Sequence, residues 1–165
     1  MDAVCLVPGS FDPPTLGHRW IAEQAAKRYS SVYVVGFINE AKNYTFSEKE
    51  RFELMELQFG DIPGVKLDFS RGMLVDYCRE HGITVILKGI RNRTDELYEL
   101  KMAEMNRSMY SGAETVLIRS PKRYKDISST IVRKLLAEGG DVSPYLGDEV
   151  AKRARIFFET QDKEQ

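Results

Sequence analysis

The chain has 165 residues, which suits one domain with a usable core. Apolar residues make up 42% and charged residues 30%, a globular composition. The net charge of −1 weighs against a general binder of nucleic acid or anionic membrane.

In chain order, the first strand is predicted from Ala3 to Val7. A turn, Pro8-Gly9-Ser10-Phe11-Asp12-Pro13-Pro14, leads through Gly17 and His18 into a helix. A second strand runs from Val32 to Ile38, and Ser47-Glu48-Lys49-Glu50 is a capping box that opens the next helix. The third strand is Val65 to Phe69. His81, before Gly82, reads as a histidine at a helix C-terminus with no catalytic role. The fourth strand is Thr84 to Leu87. Thr94-Asp95 opens a helix that carries Met102, Met105, Asn106 and Met109 on one face, a stripe that is usually core and can also wall a pocket. The fifth strand is Thr115 to Ile118. Ser128 caps a helix with Ile131, Leu135 and Leu136 as its apolar stripe, and a last helix spans about 147 to 158. One domain covers residues 1–160, and 161–165 read as a polar tail.

The strands are largely apolar throughout rather than alternating, as in a parallel sheet covered on both faces, so the expected fold is one α/β domain of βαβ units. Cys5 and Cys78 lie in apolar stretches and read as buried, reduced thiols, which fits a cytoplasmic protein. No basic n-region precedes an apolar run, and no run reaches spanning length, so no membrane partner is expected.

Ligands of open parallel sheets bind beyond the carboxyl ends of the strands. There this sequence concentrates glycines and cations: Gly9-Ser10 and His18, Lys42, Arg71-Gly72 with Leu74, Lys88-Gly89-Ile90-Arg91, and Lys122 to Lys125 ahead of Ser128-Ser129-Thr130. A focused positive cleft for a small polyanion is the expectation. Gly9 lets a phosphate approach the backbone, and the following helix offers free N–H groups. Taken singly, each residue has a plainer reading. Lys42 is then a loop lysine, Glu99 the partner of a nearby lysine, and Ser128 an N-cap only.

Gly9-Ser10-Phe11-Asp12-Pro13 with Thr15-Leu16-Gly17-His18 resembles the T/HxGH signature of the nucleotidyltransferase superfamily. Ile127-Ser128-Ser129-Thr130 with Arg133 resembles its ISSTxxR element, and the two stand in the right order. Lys42 with Phe46 to Arg51, Lys88 to Arg91, and Tyr98-Glu99 leading to Met102, Met105, Asn106 and Arg107 most resemble the bacterial phosphopantetheine adenylyltransferase family. Ser10 stands where Thr is commonest, Lys88 where Arg is usual, and Pro14 where an apolar residue is usual.

The resemblance implies a Rossmann-like, dinucleotide-binding-like fold with a five-stranded parallel sheet and helices on both faces, assembled as a homohexamer. It implies ATP and 4′-phosphopantetheine as substrates, magnesium as cofactor with ligands unassigned, and coenzyme A as a feedback ligand. His18, Lys42, Ser10 and Arg91 would be catalytic. Gly9, Phe11, Gly89, Ile90, Glu99 and Tyr124, together with Lys125, Asp126, Ile127, Ser128, Ser129 and Thr130, would bind the nucleotide. Leu74, Lys88, Met102 and Asn106 would meet phosphopantetheine. Another adenylyl- or cytidylyltransferase of the superfamily, or a non-catalytic nucleotide sensor, is the alternative.

Overall fold

β-Branched and aliphatic runs separated by capped helices set the architecture of the computed structural model, which describes residues 3–163. The elements are β1 (Val4–Gly9), α1 (Leu16–Arg28), β2 (Ser31–Phe37), α2 (Glu48–Phe59), β3 (Val65–Ser70), α3 (Leu74–His81), β4 (Val85–Ile90), α4 (Arg93–Met109), β5 (Glu114–Arg119), a 3-10 turn (Lys122–Tyr124), α5 (Ser129–Glu138), α6 (Ser143–Leu146) and α7 (Asp148–Lys163). The five strands form one parallel sheet in the order β3-β2-β1-β4-β5. Chain direction across the sheet reverses between β1 and β4, so a crevice opens at their carboxyl ends.

Both faces are covered. Ala22, Ala25, Met55 and Phe59 from α1 and α2 pack on Cys5, Val7, Val32 and Val34. Tyr77 and Cys78 of α3 pack on Leu6, Val35 and Ile86 from the other side. A third cluster joins Phe46 and Leu54 to Val132, Leu136, Leu146 and Ala154, and so docks the C-terminal helices against α2. Burial pushes the thiols of Cys5 and Cys78 up to about 12 and about 11. No described helix is long and apolar enough to cross a membrane.

The α2 capping box forms as expected: Glu50 N–H donates to Ser47 Oγ at 3.1 Å, and Ser47 N–H to Glu50 Oε1 at 2.9 Å. Four expectations need correction. β4 extends to Ile90, so Lys88, Gly89 and Ile90 belong to a strand rather than to the loop after it. α4 is capped by Asn92, whose side chain accepts the Asp95 N–H at 2.9 Å, and not by Thr94. The methionine stripe is not core: α4 has no buried residue, and Met105 and Met109 are 48% and 45% exposed. α7 continues through the start of the expected tail to Lys163, with Gln161 Nε2 donating to Glu50 Oε1 at 2.7 Å. Residues 164 and 165 of that tail lie outside the described residues.

Candidate active site

The crevice is a cleft of about 520 Å³. Its floor is the β1–α1 turn, where the Asp12–Pro13 peptide is cis and Phe11 takes a left-handed φ of 51°. That turn folds the Phe11 ring inward, edge-on to His18 at 5.0 Å and to Phe59 at 5.5 Å. A Cβ on Gly9 would come within 3.0 Å of the Phe11 ring, so the glycine makes room for its own turn as well as for a ligand.

Thr15 caps α1 and orients His18. The Thr15 hydroxyl accepts the His18 N–H at 3.3 Å, and the Thr15 N–H donates to His18 Nδ1 at 2.9 Å. A backbone amide can only donate, so Nδ1 is unprotonated and the neutral ring carries its hydrogen on Nε2. Burial, then the positive charges of Lys88 and Arg91, lower the His18 pKa to about 4. At neutral pH the site therefore holds a fixed, uncharged N–H donor.

The cations of the cleft are already partnered. Lys88 Nζ lies 3.6 Å from Glu99 Oε1. Burial raises the Glu99 pKa, and Lys88 opposes that shift. Arg91 donates through Nε and through its backbone N–H to Asp95 Oδ2, both at 3.0 Å, and through Nη1 to Ile127 O at 3.2 Å. Lys88 and Arg91 thus face Asp95 and Glu99, and the focused positive cleft expected from sequence is instead charge-balanced.

α5 is tied to the β1–α1 turn. Ser129 Oγ donates to Pro13 O at 2.8 Å, and Arg133 Nη1 to Asp12 O at 2.9 Å. Ser128 Oγ accepts the Ile131 N–H at 3.2 Å, and Thr130 Oγ1 accepts from Arg133 Nη2 at 3.2 Å. Ser129 thus spends its hydroxyl hydrogen on Pro13 O, whereas Ser128 and Thr130 act here only as acceptors and keep a hydrogen to donate. The Ser128 cap takes only the Ile131 N–H of the first turn of α5, not those of Ser129 and Thr130.

Of the residues singled out from sequence, Gly9, Ser10, His18, Gly89, Arg91 and Glu99 line the cleft. Tyr124 and Ile127 to Thr130 close its far side. Lys88 and Glu99 also wall an adjoining narrow cavity of about 80 Å³, together with Leu74, Met102 and Asn106. Phe11 and Ile90 are buried behind the site. Lys42 sits exposed on the β2–α2 loop, and Lys125 and Asp126 are exposed beside the 3-10 turn, all three off the cleft lining. Thr15, though quoted in the signature, and Asp95, though placed at a helix start, were given no role in the site by the sequence reading. The signal for Asp95 was its spacing of four from Arg91 at a helix start.

Magnesium has no cage here. Among the described residues no group of three or more His, Cys, Asp or Glu side chains is placed to hold a metal. Asp95 and Glu99 are committed to Arg91 and Lys88. The residues present do not fit a protein-held ion.

Residues 6–135 match the Cytidylyltransferase-like family. Two solved adenylyltransferase structures share the fold at 17% identity, which carries the fold alone. One is nicotinic acid mononucleotide adenylyltransferase of Plasmodium falciparum, with a TM-score of 0.67 over 93% of this chain and 94% of that one. The other is described as a nicotinate-nucleotide adenylyltransferase of Vibrio parahaemolyticus, with a TM-score of 0.66 over 93% and 99%. The fold and cleft therefore define a nucleotidyltransferase of the cytidylyltransferase-like class. A curated phosphopantetheine adenylyltransferase from Thermotoga neapolitana is 39% identical over 149 residues, 90% of this chain and 92% of the relative. The chain belongs to the phosphopantetheine adenylyltransferase family.

Proposed function

We propose that this chain transfers the adenylyl group of ATP to 4′-phosphopantetheine, giving dephospho-coenzyme A and pyrophosphate. The observation that carries the reading is the Thr15 N–H bond to His18 Nδ1, which aims a neutral Nε2–H donor into a polyanion-sized cleft. A phosphate monoester has its second pKa near 6, so the nucleophile is mostly ionised at neutral pH and needs no protein base. Its oxygen attacks the α-phosphorus in line, and the bond to the pyrophosphate oxygen breaks with its electron pair. Positioning and charge stabilisation then supply the catalysis.

His18 donates Nε2–H to a non-bridging α-phosphate oxygen, which gains charge in the transition state. Ser10 adds a hydroxyl beside it. Lys88 receives the incoming phosphate, and Lys42 reaches in from its exposed loop to both reacting phosphates. Arg91, with Gly89 and Ile90, holds the nucleotide, and Glu99 contacts it. The first-turn amides of α5 take the β- and γ-phosphates. The annex walled by Leu74, Met102 and Asn106 takes the pantetheine arm. No residue of this chain is assigned to magnesium; bound with the substrate, the ion would supply charge neutralisation of the phosphates.

Coenzyme A carries the same arm and an adenosine, so it competes for both cavities as a feedback ligand. The exposed Leu97, Leu100, Met105 and Met109 of α4 support burial between copies in a homohexamer. The two buried free thiols, Cys5 and Cys78, support a cytoplasmic location. The test is pyrophosphate release: it is expected with ATP plus 4′-phosphopantetheine and absent with either alone. Faster turnover with nicotinate mononucleotide, or with CTP as donor, would assign another transferase of the superfamily. Binding of ATP without turnover of any acceptor would leave a sensor.

A further inference from the structure

We propose that Arg51 is a positioning residue of this reaction, tying the turn that carries Lys42 to the backbone of Ser10. The inference deepens the function proposed above and rests on it.

Arg51 stands on α2 and is 2% exposed. Among the described residues it forms no ion pair. A buried guanidinium without an acid is costly unless its donors are satisfied. Here Nε donates to Phe46 O and Nη1 to Ser10 O, each at 3.1 Å. Its plane lies 3.9 Å from the centre of the Tyr44 ring, a cation–π contact suited to Arg. The Tyr44 hydroxyl accepts the Asn39 N–H at 2.8 Å. Asn39 O accepts the Lys42 N–H at 2.9 Å, and Asn39 Oδ1 accepts the Ala41 N–H at 3.1 Å. An unbroken chain of contacts therefore runs from the Ser10 carbonyl through Arg51 and Tyr44 to the turn at residues 39–42.

Asp12 completes the clamp from the same catalytic turn. Its carboxylate, 5% exposed, accepts the Thr45 N–H at 2.8 Å and the Phe46 N–H at 2.9 Å. Phe46 thus has its N–H held by a buried acid and its carbonyl by a buried base, while its ring fills the C-terminal cluster. The root of the β2–α2 loop is fixed to the β1–α1 turn, and Lys42 is left exposed at its tip. A side chain that only filled space beneath α2 would not need donors aimed at both loops. Misplacing a reacting group by about 1 Å can cost on the order of a hundredfold in rate, so the setting of this turn bears on turnover.

The test is a kinetic double-mutant cycle on the full chain, with Arg51→Lys made alone and together with Lys42→Ala. Wild-type turnover with ATP and 4′-phosphopantetheine reports first on the reaction itself, so an inactive wild type overturns the function proposed above. In an active enzyme, Arg51→Lys is expected to lower kcat/KM for 4′-phosphopantetheine by about tenfold while ATP binding, read by titration, stays near wild type. In the Lys42→Ala background the same change is expected to cost less than about twofold, because the group it positions is gone. Equal losses in the two backgrounds would mark Arg51 as structural and overturn the proposal, as would a silent Lys42→Ala. If Arg51→Lys does not fold, Tyr44→Phe, which removes only the acceptor of the Asn39 N–H, goes through the same cycle. A Lys42-dependent loss there supports the link, and an additive loss or none refutes it.

Discussion

Lys88 and Glu99 face each other at 3.6 Å on the wall shared by the nucleotide cleft and the narrow annex. Lys88 is the position where the resembled family usually has Arg. A lysine offers a point charge on a flexible stem, whereas a guanidinium can hold a carboxylate and a phosphate through separate N–H groups. If Lys88 holds the incoming phosphate, that phosphate shares one ammonium with Glu99, whose negative charge repels it. Glu99→Gln is therefore expected to tighten 4′-phosphopantetheine binding several-fold, read by calorimetry with the acceptor alone. Lys88→Ala should weaken it by roughly ten- to a hundredfold, the usual loss for one charge-assisted hydrogen bond of about 1.5–3 kcal/mol. Lys88→Arg should keep activity. If Glu99→Gln weakens acceptor binding, the two residues cooperate rather than compete.

Gly36 pairs with Gly9 across β1 and β2, and it leaves space that Phe69 of β3 occupies. A Cβ built on Gly36 would lie 2.2 Å from Phe69 Cε1 and 2.5 Å from Cδ1, distances that real contacts do not show. Gly36→Ala must therefore push the Phe69 ring, which packs at 6.0 Å on Phe52 and at 5.3 Å from the Arg51 guanidinium. A cost of about 1–3 kcal/mol is expected for such overpacking, seen as a thermal midpoint several degrees lower. An unchanged midpoint would mean that Phe69 rotates outward freely.

The order of strands and helices was legible because most strands are largely apolar runs and several helices carry a start signal, as Ser47 and Ser128 do for α2 and α5. Boundaries were less so where two local rules competed. Asn92 and Thr94 can each cap a helix. Asn92 takes the role, which leaves Asp95 free to brace Arg91. Lys88-Gly89-Ile90 looked like a loop because of its composition, yet pairing with Leu117, Ile118 and Arg119 keeps it in the sheet. His18 and Ser10 were readable as cleft residues from the first signature, and Arg91 from the Lys88-Gly89-Ile90-Arg91 run. The Lys88–Glu99 pairing was not, because those residues meet only when β4 and α4 pack together, whereas the spacing of four already signals Arg91–Asp95. Arg51 stood in the Phe46 to Arg51 stretch without a role, because only the fold brings Ser10 and Tyr44 to it.

Both thiols are predicted to be silent. Burial holds Cys5 near about 12 and Cys78 near about 11, so neither supplies thiolate at neutral pH, and neither is reachable from solvent. A disulfide-type thiol reagent at pH 8 should react with neither cysteine in the native protein and with both after denaturation. Fast native labelling would show that the sheet opens on both faces more readily than its packing implies.

The Thr15–His18 bond makes the most direct demand on experiment. With Nδ1 held as an acceptor, protonating the ring means breaking the 2.9 Å bond from the Thr15 N–H and placing a third positive charge beside Lys88 and Arg91. The ordinary histidine pKa is about 6.5, and here it falls to about 4. Above pH 6.5 the residue is neutral in both folded and unfolded chains and adds no pH dependence. Between 6.5 and about 4 the unfolded chain takes up a proton that the native site refuses, so native stability drops as the pH falls through that window. The ring signals of His18 in a proton NMR titration should move with a midpoint near 4, and His18→Gln should flatten that part of the stability profile. Turnover should keep its His18 contribution down to about pH 5, with any acid limb near pH 6 belonging to the substrate phosphate. His18→Ala should lower kcat by roughly 10²–10³-fold, the loss typical of one transition-state donor, while ATP binding changes far less. A titration midpoint at the ordinary value, or equal losses in binding and turnover, would remove the neutral-donor role from this histidine.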